Sequence, residues 1–126
     1  MTLSESREDY LENLLILETR SGGFVRQVDM VSRMGFSKAS ISKAMSSLSA
    51  EGYVEFRPRG LVRLSNGGRK IAERVYDRHC FFFKVLTNLG IPTEIAQRDA
   101  CRMEHAMSEE SYQALKKELS SKMDVQ

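Results

Sequence analysis

The sequence predicts a mainly α fold: an N-terminal winged helix-turn-helix with a small β-hairpin, followed by a helical domain. Three observations carry this expectation. Apolar residues recur at helical spacing along most of the chain, two short β-prone runs flank a basic, turn-rich tip, and glycine or serine punctuation closes each periodic stretch. The chain has 126 residues, 41% hydrophobic and 29% charged, enough to bury a core in one domain or two small packed units.

Residues 5 to 19 carry Leu11, Leu14 and Leu15 on one stripe with flanking acids, which predicts a first amphipathic helix bearing Asp9 and Glu12. Ser21, Gly22 and Gly23 end it. Gln27 to Met34 reads as a short second helix closed by Gly35 in a left-handed cap, and Ser37 caps a third. In that third helix Ile41, Ala44, Met45 and Leu48 stand at i, i+3, i+4 and i+7, burying one face and leaving Lys38, Ala39, Ser42 and Lys43 on or near the other. The layout is a helix-turn-helix.

After Gly52, Tyr53 to Phe56 and Leu61 to Leu64 are β-prone runs around Arg57-Pro58-Arg59-Gly60, a basic wing. Ser65-Asn66-Gly67-Gly68 is read as a break before a long helix from about Arg69 to Asn88 with Ile71, Val75, His79, Phe82 and Leu86 on its stripe. Gly90 and Pro92 punctuate its end, Thr93 is placed as the cap of a fifth helix, and Ser108-Glu109-Glu110 starts a sixth. Residues 120 to 126 read as a frayed tail.

The formal charge of +2 is too small to argue for nucleic acid, but residues 56 to 74 hold Arg57, Arg59, Arg63, Arg69, Lys70 and Arg74 against the single acid Glu73. A recognition helix needs small and basic residues at its N-terminal end to enter a major groove. Ser37, Lys38, Ala39, Ser40, Ser42 and Lys43 meet that need, with Arg57 and Arg59 placed to neutralise flanking phosphates. Taken alone, these lysines and arginines would be a solvated helix face and a solvated loop.

Cys101, Glu104 and His105 stand at i, i+3 and i+4, so on a helix a thiolate, a carboxylate and an imidazole share one face within reach of one cation. Asp9 and Glu12 repeat the i, i+3 spacing, and His79 is a further candidate from the long helix. Each has an ordinary alternative: a lone Cys101 is a small buried hydrophobe, His79 a core histidine, Asp9 and Glu12 a solvated face. Carboxylate oxygens favour hard Mn²⁺, whereas a thiolate adds affinity for Fe²⁺, Co²⁺ and Zn²⁺, so the donor set leaves the metal open. The six donors suffice for one octahedral ion or two ions sharing a carboxylate. With no run of eighteen apolar residues, no signal peptide and only Cys80 and Cys101 as cysteines, a reducing cytoplasm is the default and no membrane association is expected.

From about Glu8 to Ser111 the chain resembles the diphtheria-toxin-repressor family of metal-dependent transcriptional regulators. The resemblance rests on Glu8-Asp9-Tyr10-Leu11-Glu12, the winged helix, Arg78-His79, and the run Cys101 to Ser108 beginning Cys-Arg-Met-Glu-His. It implies a winged-helix domain, set at residues 1–68, and a helical metal-binding and dimerisation domain at 69–126, with Asp9 and Glu12 lending ligands from the first helix. Bound metal then favours the DNA-binding arrangement of a homodimer. Asp9 and Glu12 match the manganese-responsive branch, which has a glutamate where this chain has Cys101; Cys101 matches the iron-responsive branch, and His79, Glu104 and His105 suit both. The ancillary site of the iron branch needs an acid where this chain has Phe83 and a histidine where it has Gln97, so that site is not expected to form. The resemblance implies the architecture of the shorter manganese type, and the third, SH3-like domain of the longer iron regulators is not expected.

The resulting expectation is a cytoplasmic, homodimeric, metal-responsive repressor of metal homeostasis, bound to double-stranded operator DNA and activated by Mn²⁺ or Fe²⁺, with Co²⁺ or Zn²⁺ as substitutes in vitro. The alternative is a winged-helix regulator sensing an organic ligand or the oxidation state of Cys101. An enzyme using Cys101 as nucleophile lacks a Gly-rich oxyanion turn and a substrate-binding segment, and no organic substrate is expected.

Overall fold

The computed structural model describes residues 4–123 and divides the chain into two compact units, Met1–Glu73 and Arg74–Gln126. The first unit begins with helix α1 (Glu5–Ser21), capped by the Ser4 hydroxyl, which accepts from the Arg7 N–H, and closed by Gly22 at φ 83°. Strand β1 (Val25–Arg26) leads into α2 (Gln27–Met34), which Gly35 ends at φ 74° as the sequence predicts. Ser37 caps α3 (Lys38–Ala50), its hydroxyl accepting from the Ser40 N–H at 3.1 Å. Strands β2 (Val54–Arg57) and β3 (Leu61–Leu64) then pair antiparallel around a single 3₁₀ turn at Pro58–Gly60.

The sheet has three strands among the described residues, in the order β1-β3-β2, one more than the sequence predicts. Two residues of β1 show no alternation to detect; they become a strand because Val25 and Arg26 meet Val62 and Leu61 on the open edge of β3. Leu11, Leu14, Met30, Ile41, Met45, Leu48, with Val25, Val62 and Leu64 from the sheet, form the buried core of this unit. Buried Glu18 fastens the core to the wing: Oε2 accepts from the Leu64 N–H at 2.9 Å and Oε1 from Nη2 of Arg69 at 2.6 Å.

Helix α4 (Asn66–Asn88) starts three residues before the predicted Arg69. The Ser-Asn-Gly-Gly segment is its first turn rather than a break. The Ser65 hydroxyl accepts from the Gly68 N–H at 3.1 Å, supplying the cap that offsets two poor helix formers. Gly68 is required there: a Cβ would stand 2.0 Å from the carbonyl oxygen of Tyr53. The buried face of α4 carries Ala72, Val75, Phe82 and Val85, with Arg78 fully inside and His79 and Leu86 only partly so, which shifts the predicted stripe.

In the second unit α5 (Thr93–Met103) is capped by Pro92, and Thr93 is its first helical residue, a correction to the predicted cap. Proline has no N–H to lose, and its fixed φ of −56° suits an entry into helix. Helix α6 (Glu109–Met123) begins after Ser108, whose hydroxyl accepts from the Ser111 N–H at 3.1 Å. It runs through residues 120–123, predicted as a frayed tail, because Leu115, Leu119 and Met123 at i, i+4 and i+8 pack on the cluster of Phe81, Phe82, Val85, Ala100 and Tyr112. Residues 124–126 of that predicted tail lie outside the described residues. No helix among the described residues is long and apolar enough to cross a membrane.

Candidate metal centre and nucleic-acid interface

In the second unit α4 delivers His79, while α5 and the turn after it deliver Cys101, Glu104 and His105. The donor atoms of His79, Cys101 and Glu104 all lie within 4.8 Å of one another, close enough to surround a single ion. Nδ1 of His79 stands 3.1 Å from Oε2 of Glu104 and 3.7 Å from Sγ of Cys101. Its other nitrogen, Nε2, is 2.7 Å from Oε1 of Gln97. On the far side of the carboxylate, Oε1 of Glu104 is 3.2 Å from Nε2 of His105. Glu104 is 1% exposed, whereas the Cys101 residue is exposed. An imidazole, a thiol and a buried carboxylate converging in this way fit a divalent transition metal, the sulfur and nitrogen favouring borderline ions and the oxygens harder ones.

The helical spacing that predicts the cluster is only partly realised. Helix α5 ends at Met103; Glu104 is its C-cap, still right-handed, so Cys101 and Glu104 keep the i, i+3 relation, but His105 lies in the following turn. Buried Arg78 holds that turn in place. Its Nη1 donates to the carbonyls of Glu104 at 3.2 Å and Met107 at 2.8 Å, Nη2 pairs with Glu109 at 2.9 Å, and the guanidinium lies 4.8 Å from the ring centroid of Tyr112. Arg78 therefore fixes the backbone from which Glu104 and His105 project. Sequence reading reached Arg78 only as the neighbour of His79; its place among Val75, Phe82 and Val85 on the buried face was the available signal.

The His79 pKa is pushed up to about 11, first by its hydrogen bond to Cys101 and then by that to Glu104, with burial opposing. With that shift the ring holds its proton at neutral pH, and an ion bound at Nδ1 would take the place of that proton.

Asp9 and Glu12 lie on α1 in the first unit, Glu12 being buried. The groove candidates Ser37, Lys38, Ala39, Ser40, Ser42 and Lys43 are all exposed along the N-terminal half of α3, while Ile41 and Met45 of the same helix are fully buried. Arg57 and Arg59 are exposed at the wing, Arg59 at φ 69°. The Arg57 guanidinium stacks 5.3 Å from the ring centroid of Phe24, and Arg63 stacks on the same ring at 5.2 Å while pairing with Glu55 at 2.8 Å. Of the wing arginines, Arg63 thus has its charge partly spent inside the hairpin.

An exposed basic helix-turn-helix and wing, with a cluster of metal-type donors further along the chain, define a metal-regulated DNA-binding protein. Residues 2–62 match the N-terminal DNA-binding domain of the iron-dependent repressors, and residues 65–122 match their metal-binding and dimerisation domain. The transcriptional regulator MntR of Escherichia coli O6:H1 is 38% identical over 109 residues, covering 86% of this chain and 70% of that protein. Among solved structures, T. acidophilum IdeR superposes with a TM-score of 0.75 at 26% identity over 95% of this chain, which spans 55% of that one. A manganese-dependent transcriptional repressor in complex with manganese gives a TM-score of 0.74 at 25% identity, over 94% of this chain and 52% of its own. The chain belongs to the iron-dependent, or diphtheria-toxin-repressor, family. It is a divalent-metal-dependent transcriptional repressor of metal homeostasis, a homodimer on operator DNA and not an enzyme. The comparisons give no support to the organic-ligand or thiol-oxidation alternative.

Proposed function

We propose that this repressor acts in the cytoplasm and is switched on for operator binding by Mn²⁺ or Fe²⁺, held through His79, Cys101, Glu104 and His105 with further oxygen ligands from Asp9 and Glu12. The observation that carries the reading is the convergence of the His79, Cys101 and Glu104 donor atoms within 4.8 Å. When bound, the metal supplies a positive charge that neutralises Glu104 and the Cys101 thiolate together. The carboxylates of Asp9 and Glu12 draw the set toward Mn²⁺, the ion held by the related repressor solved with manganese, and Cys101 extends it toward Fe²⁺.

In the same reading residues 1–68 form the DNA-reading domain and 69–126 the sensing and dimerising one. Lys38 and Lys43 enter the major groove with Ser37, Ala39, Ser40 and Ser42, whose small side chains let the backbone approach the base edges. Arg57 and Arg59 meet phosphates beside the groove and set the register without reading sequence.

The test is binding of metal-free protein to DNA fragments it selects when metal-loaded, titrated separately with buffered Mn²⁺, Fe²⁺ and Zn²⁺. Tight binding only on addition of Mn²⁺ or Fe²⁺ at buffered micromolar or lower activity is expected. Equal affinity with and without every metal would overturn the proposal.

A further inference from the structure

We infer that Gln97 is a positioning residue that aims His79 at the metal, taking over one nitrogen of the ring so that the other faces Cys101 and Glu104. The inference rests on the reading of His79 as a ligand and concerns a residue that donates nothing to the ion. Gln97 and Cys101 lie four residues apart on α5, hence on one face of that helix. From that face they bracket a single imidazole. Oε1 of Gln97 meets Nε2 at 2.7 Å, while Sγ of Cys101 lies 3.7 Å from Nδ1 on the opposite side of the ring.

A histidine that gives the Nδ1 lone pair to a metal must carry its remaining proton on Nε2, and a carbonyl oxygen is the acceptor that such an N–H needs. Were Gln97 absent, a half-turn of the ring about its Cβ–Cγ bond would carry the donor nitrogen away from Cys101 and Glu104. Tyr76 and Phe83, one turn before and after His79 on α4, flank the ring. Their rings are nearly parallel to the imidazole, at 15° and 5°, each with its centroid 6.5 Å away. They line the ring but do not choose which edge faces the ligands; Gln97 on Nε2 sets that choice together with Glu104 on Nδ1. One of the two positions at which this chain departs from the ancillary-site pattern thereby acquires a task in the remaining site.

Gln97→Met keeps the length of the side chain and removes the acceptor, whereas Gln97→Glu keeps an acceptor and strengthens it. Two quantities are measured on the full-length protein: Mn²⁺ and Co²⁺ affinity by chelator competition, and the ¹⁵N signals of the His79 ring in the metal-free state and in complex with diamagnetic Zn²⁺. Gln97→Met is expected to lose affinity by about 10- to 100-fold, with Nε2 of His79 losing its fixed hydrogen-bonded signature, while Gln97→Glu matches or exceeds the wild type. Equal losses in both variants would assign Gln97 a merely structural role and overturn the inference, as would a Gln97→Met protein of wild-type affinity. If Gln97→Met does not fold, the Gln97→Glu affinity and its His79 signals decide alone: weaker binding than wild type overturns the inference, and equal or tighter binding with a hydrogen-bonded Nε2 upholds it. A His79→Ala control separates the levels. Unchanged affinity in that control removes His79 as a ligand and both readings of its ring fall, whereas a loss there beside wild-type affinity in Gln97→Met removes only the part assigned to Gln97.

Discussion

Replacing Glu104 by alanine tests the centre of the proposed site on two scales. In the metal-free protein the carboxylate holds two imidazoles, His79 at 3.1 Å and His105 at 3.2 Å, and all three side chains are largely shielded from water, at 14%, 4% and 0% exposure for His79, His105 and Glu104. A hydrogen bond to a charged group is worth about 1.5–3 kcal/mol, so the His79 contact contributes roughly that much to the second unit, while His105 stands at ion-pair distance from Oε1 without closing a hydrogen bond. Glu104→Ala is expected to lower the stability of metal-free protein by roughly that amount in a urea titration. The second scale is the response to metal. At a concentration one hundred times the dissociation constant, metal stabilises the folded state by about 2.7 kcal/mol, and a variant whose affinity has dropped a hundredfold loses most of that gain. Thermal unfolding with and without Mn²⁺, alongside metal-dependent DNA binding, reads both effects in one protein. Helical content should persist, since Glu104 lies at the end of α5 and its backbone N–H still donates to the Ala100 carbonyl. A Glu104→Ala protein with undiminished metal stabilisation and metal-activated DNA binding would refute the assignment of Glu104 as a ligand.

Cys101→Glu substitutes a hard oxygen for a soft sulfur and should shift activation toward Mn²⁺ and away from Fe²⁺, Co²⁺ and Zn²⁺; identical activation ratios in DNA-binding titrations would mean that the sulfur does not touch the ion. Arg57→Ala/Arg59→Ala should weaken binding to operator and unrelated DNA alike and make the salt slope shallower by about two, with metal affinity in the absence of DNA unchanged; unaltered salt dependence would show that the wing does not meet phosphate. Because His79 titrates near pH 11 in the metal-free protein, each proton displaced should raise the apparent metal affinity about tenfold per pH unit through neutrality, and a flat affinity between pH 6.5 and 7.5 would contradict displacement. The same raised pKa means that the His79 contribution to metal-free stability is fully present below its ordinary value of 6.5 and is lost as pH rises through about 11, which chemical denaturation across that window measures.

The parts of this fold that were legible in the sequence are those in which a local chemical rule and the tertiary structure agree. Ser37 and Gly35 mark their helix ends because a hydroxyl and a missing Cβ each answer a local need of the backbone. Gly67 and Gly68 were misleading for the opposite reason: their low helix propensity is overridden by the Ser65 cap and by a contact with Tyr53, distant in sequence, that only glycine permits. Strand β1 has no pattern of its own and exists through its partner. At the proposed metal centre, spacing disclosed Cys101 and Glu104 because the two donors share one helix and its cap, whereas His79 was a candidate from the long helix by residue type, since no spacing rule links one helix to another. Gln97 and the carbonyl-binding role of Arg78 were invisible as functions, since each acts through a ring or a backbone that sequence spacing does not locate.

Arg59 carries a further consequence for anyone seeking a hardier version of this protein. It is the non-glycine residue at positive φ among the described residues, and a left-handed conformation costs a residue with a Cβ about 1–2 kcal/mol. Arg59→Gly is therefore an attractive stabilising edit on backbone grounds. It would also delete one of the two positive charges that the wing extends toward DNA in the proposed complex. A selection for thermal endurance alone would push this position toward glycine, and a selection for grip on the operator would push it back, so the identity of the residue at the wing tip reports which of the two pressures has prevailed.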